Sequence, residues 1–257
     1  MHKHRTAALP TAALPTAALL TAALLAAFGC RATPSGRASL ASASSPASVA
    51  LRTGQAPSSE WRSLVTGNSL AAWKGYKTDT VPSGWRAENG ILMKDKPVGD
   101  IVTRDELGDF ELSLEWRISS GGNAGIFYRG TEEYPRVYWT APEYQLLDDD
   151  KAPDGASRLT SAGSAYGLYP SPAGHLKPVG EWNETRIIAK GAHVEHWLNG
   201  TKLLEYELWS ADWVAKVKAT KFSAWPNYGM AKRGRLALQG DHDGSLAFRN
   251  MKIRELR

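Results

Sequence analysis

From Phe110 to Ile118 every second side chain is apolar: Phe110, Leu112, Leu114, Trp116 and Ile118 alternate with Glu111, Ser113, Glu115 and Arg117. A period of two places the first set on one face of a β-strand and the second on the other, so this strand has one dry face and one polar face. Gly121, Gly122 and Asn123 follow, residue types that tolerate positive φ, and they turn the chain into a second predicted strand over Ala124–Arg129. Such a hairpin is not stable alone in water, and the rest of the chain must cover its apolar face.

Short alternating runs bounded by Gly, Pro, Asn and Asp predict further strands at Trp61–Val65, Ala72–Lys74, Trp85–Ala87, Ile91–Lys94, Asp100–Thr103 and Glu143–Leu147. Thr185–Lys190, His193–Leu198, Lys202–Glu207, Gly234–Gln239 and Leu246–Arg254 complete the set. Asn199-Gly200 is a strong tight-hairpin signal between two of them. In Ser210–Thr220 the residues Trp213, Val214 and Val217 stand at helical spacing behind a Ser/Asp start, which predicts one short helix. No repeat of fixed period is present. The pattern is that of an all-β, two-sheet antiparallel sandwich of jelly-roll type, with the helix and long loops at its edges.

Composition changes this picture mainly at the N-terminus. Lys3 and Arg5 precede an Ala/Leu-rich run that ends at Cys30, the single cysteine of the 257 residues. Residues 1–29 therefore read as an export signal of lipoprotein type, with Cys30 as the expected lipidation point, although Ala27 and Phe28 depart from the usual residues before such a cysteine. The interruptions at Pro10 and Pro15 argue against a permanent membrane span, so a lipid anchor is the one expected membrane contact. Residues 30–59, rich in Ala, Ser, Pro and Gly, read as a flexible tether, and residues 60–257 as one domain in a periplasmic or cell-envelope location. One cysteine excludes an intrachain disulfide. A formal net charge of +5, evenly spread and lowered once Lys3 and Arg5 are removed, gives no case for nucleic acid.

Candidate chemistry gathers on one predicted strand. In Glu143-Tyr-Gln145-Leu-Leu-Asp148, inward Tyr144 and Leu146 send Glu143 and Gln145 together to the other face, close enough to grip one sugar. Gln145 stands where a jelly-roll glucanase carries a second carboxylate, so the usual two-carboxylate glycosidase mechanism is poorly supported. Ten tryptophans exceed the needs of so small a core, and some are expected to line a groove for sugar faces. His193 and Glu195 share a strand face as a weak metal pair, and the acidic run Asp148–Asp154 reads as a solvated loop in preference to a calcium loop. No phosphate-cradling loop or dinucleotide fingerprint is present.

The segments EWRISSGGNAGIFYRG, EYQLLDD, SAYGLYP, KPVGEWNETRIIAKGAHVEHWLNG and KFSAWPNYGMAKRGRLALQG, with the DH and DG that follow, resemble in order the 3-keto-disaccharide hydrolase domain family, from about Trp61 to Leu256. The resemblance implies a concanavalin-like jelly roll, export, and cleavage of glycosides already oxidised at C3, by hydrolysis or by elimination across C1 and C2 followed by hydration. It also implies a separate nicotinamide-dependent oxidoreductase that makes the ketone. Expected catalytic residues are Glu143, His242 and Lys177; expected substrate contacts are Asn123, Arg129, Gln145, Tyr166, Trp182 and His196. No cofactor is certain, and a divalent metal for the enolate oxygen stays open. The competing expectation is a carbohydrate-binding jelly roll without catalysis, which the same scaffold supports.

Overall fold

A computed structural model describes residues 60–257; the expected signal, Cys30 and the tether lie outside the described residues. The described residues form thirteen strands and one α-helix, in the order β1 (Arg62–Ser63), β2 (Trp73–Gly75), β3 (Arg86–Glu88), β4 (Ile91–Lys94), β5 (Ile101–Thr103), β6 (Phe110–Ile118), β7 (Asn123–Gly130), β8 (Glu143–Leu147), β9 (Asn183–Lys190), β10 (His193–Leu198), β11 (Thr201–Glu207), α1 (Ala211–Lys218), β12 (Arg235–Leu238) and β13 (Leu246–Glu255). Each predicted strand is present, with ends displaced by a few residues at most.

All strand pairs are antiparallel. The larger sheet runs β11-β10-β9-β6-β13-β4-β3, with β1 added against β13, and the smaller runs β2-β5-β12-β7-β8. The fold is therefore the two-sheet jelly-roll sandwich that the alternation requires. Leu112, Leu114 and Trp116 of β6 meet Ala124, Ile126 and Tyr128 of β7 and Tyr144 and Leu146 of β8 in one core. Buried polar groups cross that core in pairs, as they must when no water reaches them. The Trp116 indole donates to Thr185 Oγ1 at 2.9 Å, and Thr185 donates in turn to the Tyr144 hydroxyl at 2.9 Å.

Asn199 and Gly200 both take positive φ, 48° and 81°, and close the β10–β11 hairpin as expected. Helix α1 starts on Ser210, whose hydroxyl accepts from Trp213 N at 3.1 Å. Trp213 is buried against the core, whereas Val214, predicted to share its face, is 54% exposed. A second, smaller apolar cluster of Val102, Phe127, Val137, Ala141 and Ala237 lies on the outward face of the smaller sheet. Loops cover that face, so the side chains that point away from the sandwich core are still shielded from water.

Candidate active site

β7 and β8 pair in a register that sets Gly125 opposite Gln145 and Phe127 opposite Glu143. Strict alternation sends Tyr144 and Leu146 into the core, leaving Glu143 and Gln145 on the outward face with Asn123 and Gly125. Gly125 is glycine for a steric reason. A Cβ there would lie 2.1 Å from Glu143 Oε1, so the missing side chain is the space in which the carboxyl group rests. Gln239, next to β12, continues this floor by donating its backbone N–H to Gly125 O at 3.0 Å.

Four loops raise walls around the floor. Tyr166 and Asp154 come from the β8–β9 connection, Lys221 and Phe222 from a 3-10 turn (Lys221–Ala224), Asp241 and His242 from the β12–β13 loop, and Tyr138 from a 3-10 turn (Val137–Trp139). The β8–β9 connection is fixed by backbone bonds, Tyr166 N to Glu143 O at 3.1 Å and Gly163 N to Gln145 O at 2.8 Å. Together these residues enclose a cleft of about 230 Å³.

Glu143 is 9% exposed, and burial pushes its carboxyl up to about 8; Asp154, Asp100 and Asp241 act in the same direction, and Lys221 opposes them. The other two carboxylates of the cleft are already engaged. Asp154 Oδ2 accepts from Asn123 Nδ2 at 3.2 Å and from the Tyr166 hydroxyl at 3.3 Å, while Asp241 pairs with Arg136 at 3.5 Å. Burial raises the Tyr166 phenol to about 12, with Asp154 and Glu143 adding to it. The Lys221 ammonium stands 4.7 Å over the Tyr166 ring. Gln145 links these groups. In one orientation its amide donates to Asn123 Oδ1 at 3.2 Å and turns its oxygen to Glu143 Oε1, a contact that suits a protonated carboxyl; turned over, it donates to Glu143 Oε1 and Ala124 O, each at 3.1 Å. Gln239 Oε1 is buried without a partner among the described residues.

The β12–β13 loop is tied down from beneath. Lys94, 1% exposed at the end of β4, donates to His242 O at 2.6 Å and Gly244 O at 3.1 Å, and its burial lowers its proton affinity. His242 is thereby held at the rim, with Nε2 3.9 Å from Asp241.

Of the expected site residues, the structure brings together Glu143, Gln145, Asn123, Tyr166 and His242. It places the other four elsewhere. Lys177 donates to Trp182 O at 2.9 Å in a loop over Leu147 and Ile118. Trp182 lies on the outward face of the larger sheet, between the guanidinium groups of Arg117 at 4.7 Å and Arg249 at 4.3 Å. Arg129, by parity with Phe127, belongs on the cleft side, but its φ of 53° and the register shift between β7 and β12 turn it to the edge, where it binds Gly108 O, Gly191 O and Asp109. His196 is fully buried between the sheets against Tyr128 and Gly163 O. Conversely, Asp154, Lys221, Gln239 and Asp241 line the cleft without having been singled out in sequence. Asp154 lay in a run read as solvated; the other three lay in the KFSAWPNYG and QGDHDG segments, which marked resemblance but not proximity.

The run Asp148–Asp154 is not a solvated loop throughout, because Asp148 accepts from Gly121 N at 2.7 Å and Asp149 from Ala162 N at 2.7 Å. His193 and Glu195 converge with Glu205 on the larger sheet to within 4.8 Å, away from the cleft residues. There Lys202 already binds Glu205 at 2.6 Å, and Glu207 binds His193 Nδ1 at 2.6 Å. A larger groove, about 710 Å³, runs between Trp61, Arg104, Arg233 and Arg254, but it is lined by compensated pairs such as Arg62–Asp105 and Arg233–Glu255.

Residues 60–254 match the family model of the 3-keto-alpha-glucoside-1,2-lyase-like domain. The chain belongs to this family. A 3-keto-disaccharide hydrolase of Bacteroides thetaiotaomicron is 33% identical over 225 residues, covering 75% of this chain and 77% of the relative. Two solved structures from Parabacteroides distasonis, both provisionally described as glycosyl hydrolases, are similar in fold. One has a TM-score of 0.72 at 33% identity over 77% of this chain and 94% of its own; the other has 0.61 at 27% over 77% and 100%. Family and relatives together support a glycoside-cleaving role.

Proposed function

We propose that the chain cleaves the glycosidic bond of 3-keto glycosides by proton abstraction at C2, with Glu143 as the base. The observation that carries this reading is a single buried carboxyl, raised to about 8 and free of any ion pair, on the floor of a polar cleft. A ketone at C3 acidifies the hydrogen on C2, because the electron pair left behind delocalises onto the ketone oxygen as an enolate. The oxygen on C1 is then β to the carbonyl. When the enolate collapses, C1–O breaks, a C1–C2 double bond forms, and the leaving oxygen takes a proton. Water added at C1, with a proton returned to C2, completes a net hydrolysis.

This route forms no oxocarbenium ion, and it asks little of a second carboxylate. That suits a cleft in which Asp154 and Asp241 are bound to neighbours. The Lys221 ammonium, over the Tyr166 ring, supplies positive potential for the enolate oxygen. His242, at the rim, is the proposed acid for the departing oxygen and the competing base. The reading needs a separate nicotinamide-dependent oxidoreductase to install the ketone.

Reaction in deuterated water is the test. Enolisation places deuterium at C2 of the released 3-keto sugar, whereas direct displacement by water at C1 leaves C2 unlabelled after correction for exchange without enzyme. Glu143→Gln keeps the shape and removes the base, and is expected to lower turnover at least ~100-fold. A near-normal rate would pass the role to His242. Sugar binding with no turnover of any 3-keto glycoside would leave a carbohydrate-binding module instead.

A further inference from the structure

At one wall of the cleft stands an aromatic cluster of four rings, of which Trp225 and Tyr138 also pack against the apolar clusters of the sandwich. Tyr138, which lines the cleft, meets Trp225 edge-on with ring centroids 6.1 Å apart and Trp139 at 6.0 Å. Trp139 and Trp225 are themselves stacked, 5.2 Å apart and inclined by 14°, and Tyr134 closes on Trp139 at 6.3 Å. All four rings are half-buried. Tyr134 and Trp139 pack into none of the three apolar clusters of the described residues. Two separate loops bring the rings together, and they are joined by Asn227 Nδ2 donating to Glu133 Oε1 at 2.6 Å and Gly229 N donating to Thr140 O at 2.8 Å.

Size gives this wall a meaning. The cleft of about 230 Å³ lies below the roughly 300–1,000 Å³ of pockets that enclose a whole drug-sized ligand, a class into which a disaccharide falls. It holds one ring of the substrate, and the leaving group must lie beyond it. Chemistry then narrows the occupant. The indole N–H groups of Trp139 and Trp225 and the hydroxyls of Tyr134 and Tyr138 make no hydrogen bond among the described residues. Flat apolar faces beside free donors match a pyranose, which has a C–H face for the rings and ring-edge oxygens for the N–H and O–H groups.

We infer that Tyr138, Trp139, Trp225 and Tyr134 form the subsite for the leaving sugar, so that the chain is selective for disaccharides over simple alkyl or aryl glycosides. This rests on the proposed function for which ring occupies the cleft, but the binding itself can be measured without turnover.

Titration calorimetry of the full-length protein would compare unoxidised α-linked glucosyl disaccharides (1,1, 1,2 and 1,4) with phenyl α-glucoside and methyl α-glucoside. The best disaccharide is expected to bind at least ~10-fold more tightly than the methyl glucoside, the scale of one good aromatic contact. Trp225→Ala should erase that difference, and Trp225→Phe, which keeps the flat face and loses the N–H, should restore part of it. Trp139→Ala serves as the second variant should Trp225→Ala fold poorly. Disaccharide binding no tighter than methyl glucoside, or undetectable, overturns the subsite even where 3-keto substrates are cleaved. Phenyl glucoside equal to the best disaccharide overturns the assignment to a sugar. With 3-keto substrates, the ratio of kcat/KM for disaccharide over methyl glycoside should fall in Trp225→Ala; taking the ratio cancels leaving-group reactivity. Loss of turnover on every substrate alongside intact selective binding would sink the proposed function and leave the subsite standing.

Discussion

Glu143 is the residue in which position and proton affinity meet, and its two pH effects have opposite consequences. Its folded value, about 8, lies above the ordinary carboxyl value of 4.5. The folded state therefore holds a proton that the unfolded state releases. The stabilising contribution is complete below about pH 4.5 and is lost as pH rises through about 8, at up to about 1.4 kcal/mol per pH unit. Glu143→Gln cannot titrate, so its melting temperature relative to wild type should rise between pH 5 and pH 8. As a base, by contrast, Glu143 works only when ionised: kcat/KM should climb through about pH 8 and level off above it. A profile that falls across the same range would mark an acid. Gly125 tests the seat of this group separately. With a Cβ 2.1 Å from Oε1, Gly125→Ala must push the carboxyl off the floor, yet the neighbour that yields is the end of a flexible side chain. The expected outcome is a rate loss approaching that of Glu143→Gln at near-wild-type stability, with the double variant no slower than Glu143→Gln alone. Additive losses would mean that Gly125 acts through something else.

At the scale of elements, what was legible in sequence is what alternation can encode. Strand β8 announces Glu143 and Gln145 because Tyr144 and Leu146 fix the parity; Asn123, read as a turn residue before the second strand, is instead the first residue of β7. Alternation fails at Arg129, where a left-handed backbone and a register shift break the parity two residues after Phe127. It is silent on loops, whose spatial neighbours are set by tertiary bonds between distant residues; Lys221 and Asp241 reach the cleft that way, and Lys177 and Trp182 do not. His242 reaches it through Lys94, 148 residues away in sequence and hidden in the end of β4. Removing that ammonium leaves two part-buried hydrogen bonds to loop carbonyls unmade, each worth at most about 1.5–3 kcal/mol when the donor is charged. Lys94→Met should accelerate amide hydrogen exchange across Gly240–Ser245 while the β6 and β9 amides stay protected, and should lower kcat by about tenfold or more. Unchanged exchange in the loop would show that other contacts hold His242.

For the whole molecule, the question is what locks one sheet to the other, and His196 is part of that lock. From β10 in the larger sheet its Nε2 meets the Tyr128 hydroxyl of β7 in the smaller sheet at 2.9 Å, and its Nδ1 lies 3.0 Å from Gly163 O, in the connection that carries Tyr166 to the cleft. Burial lowers its proton affinity from the ordinary 6.5 to about 4, with Gly163 O acting weakly in the other direction. The unfolded chain thus takes up a proton that the folded chain refuses. The contribution of His196 is complete above about pH 6.5 and is lost as pH falls toward 4, in total on the order of 3 kcal/mol. Glu143 and Asp100, both raised by burial, push stability the other way over part of this range, so the wild-type curve alone does not isolate the histidine. The difference between two proteins does. His196→Gln keeps polar atoms near both partners and removes the titration, so its melting temperature should drop less than that of wild type between pH 7 and pH 4.5, by roughly 5–10 °C for a domain of this size. Parallel curves would mean that the imidazole accepts its proton without parting the sheets.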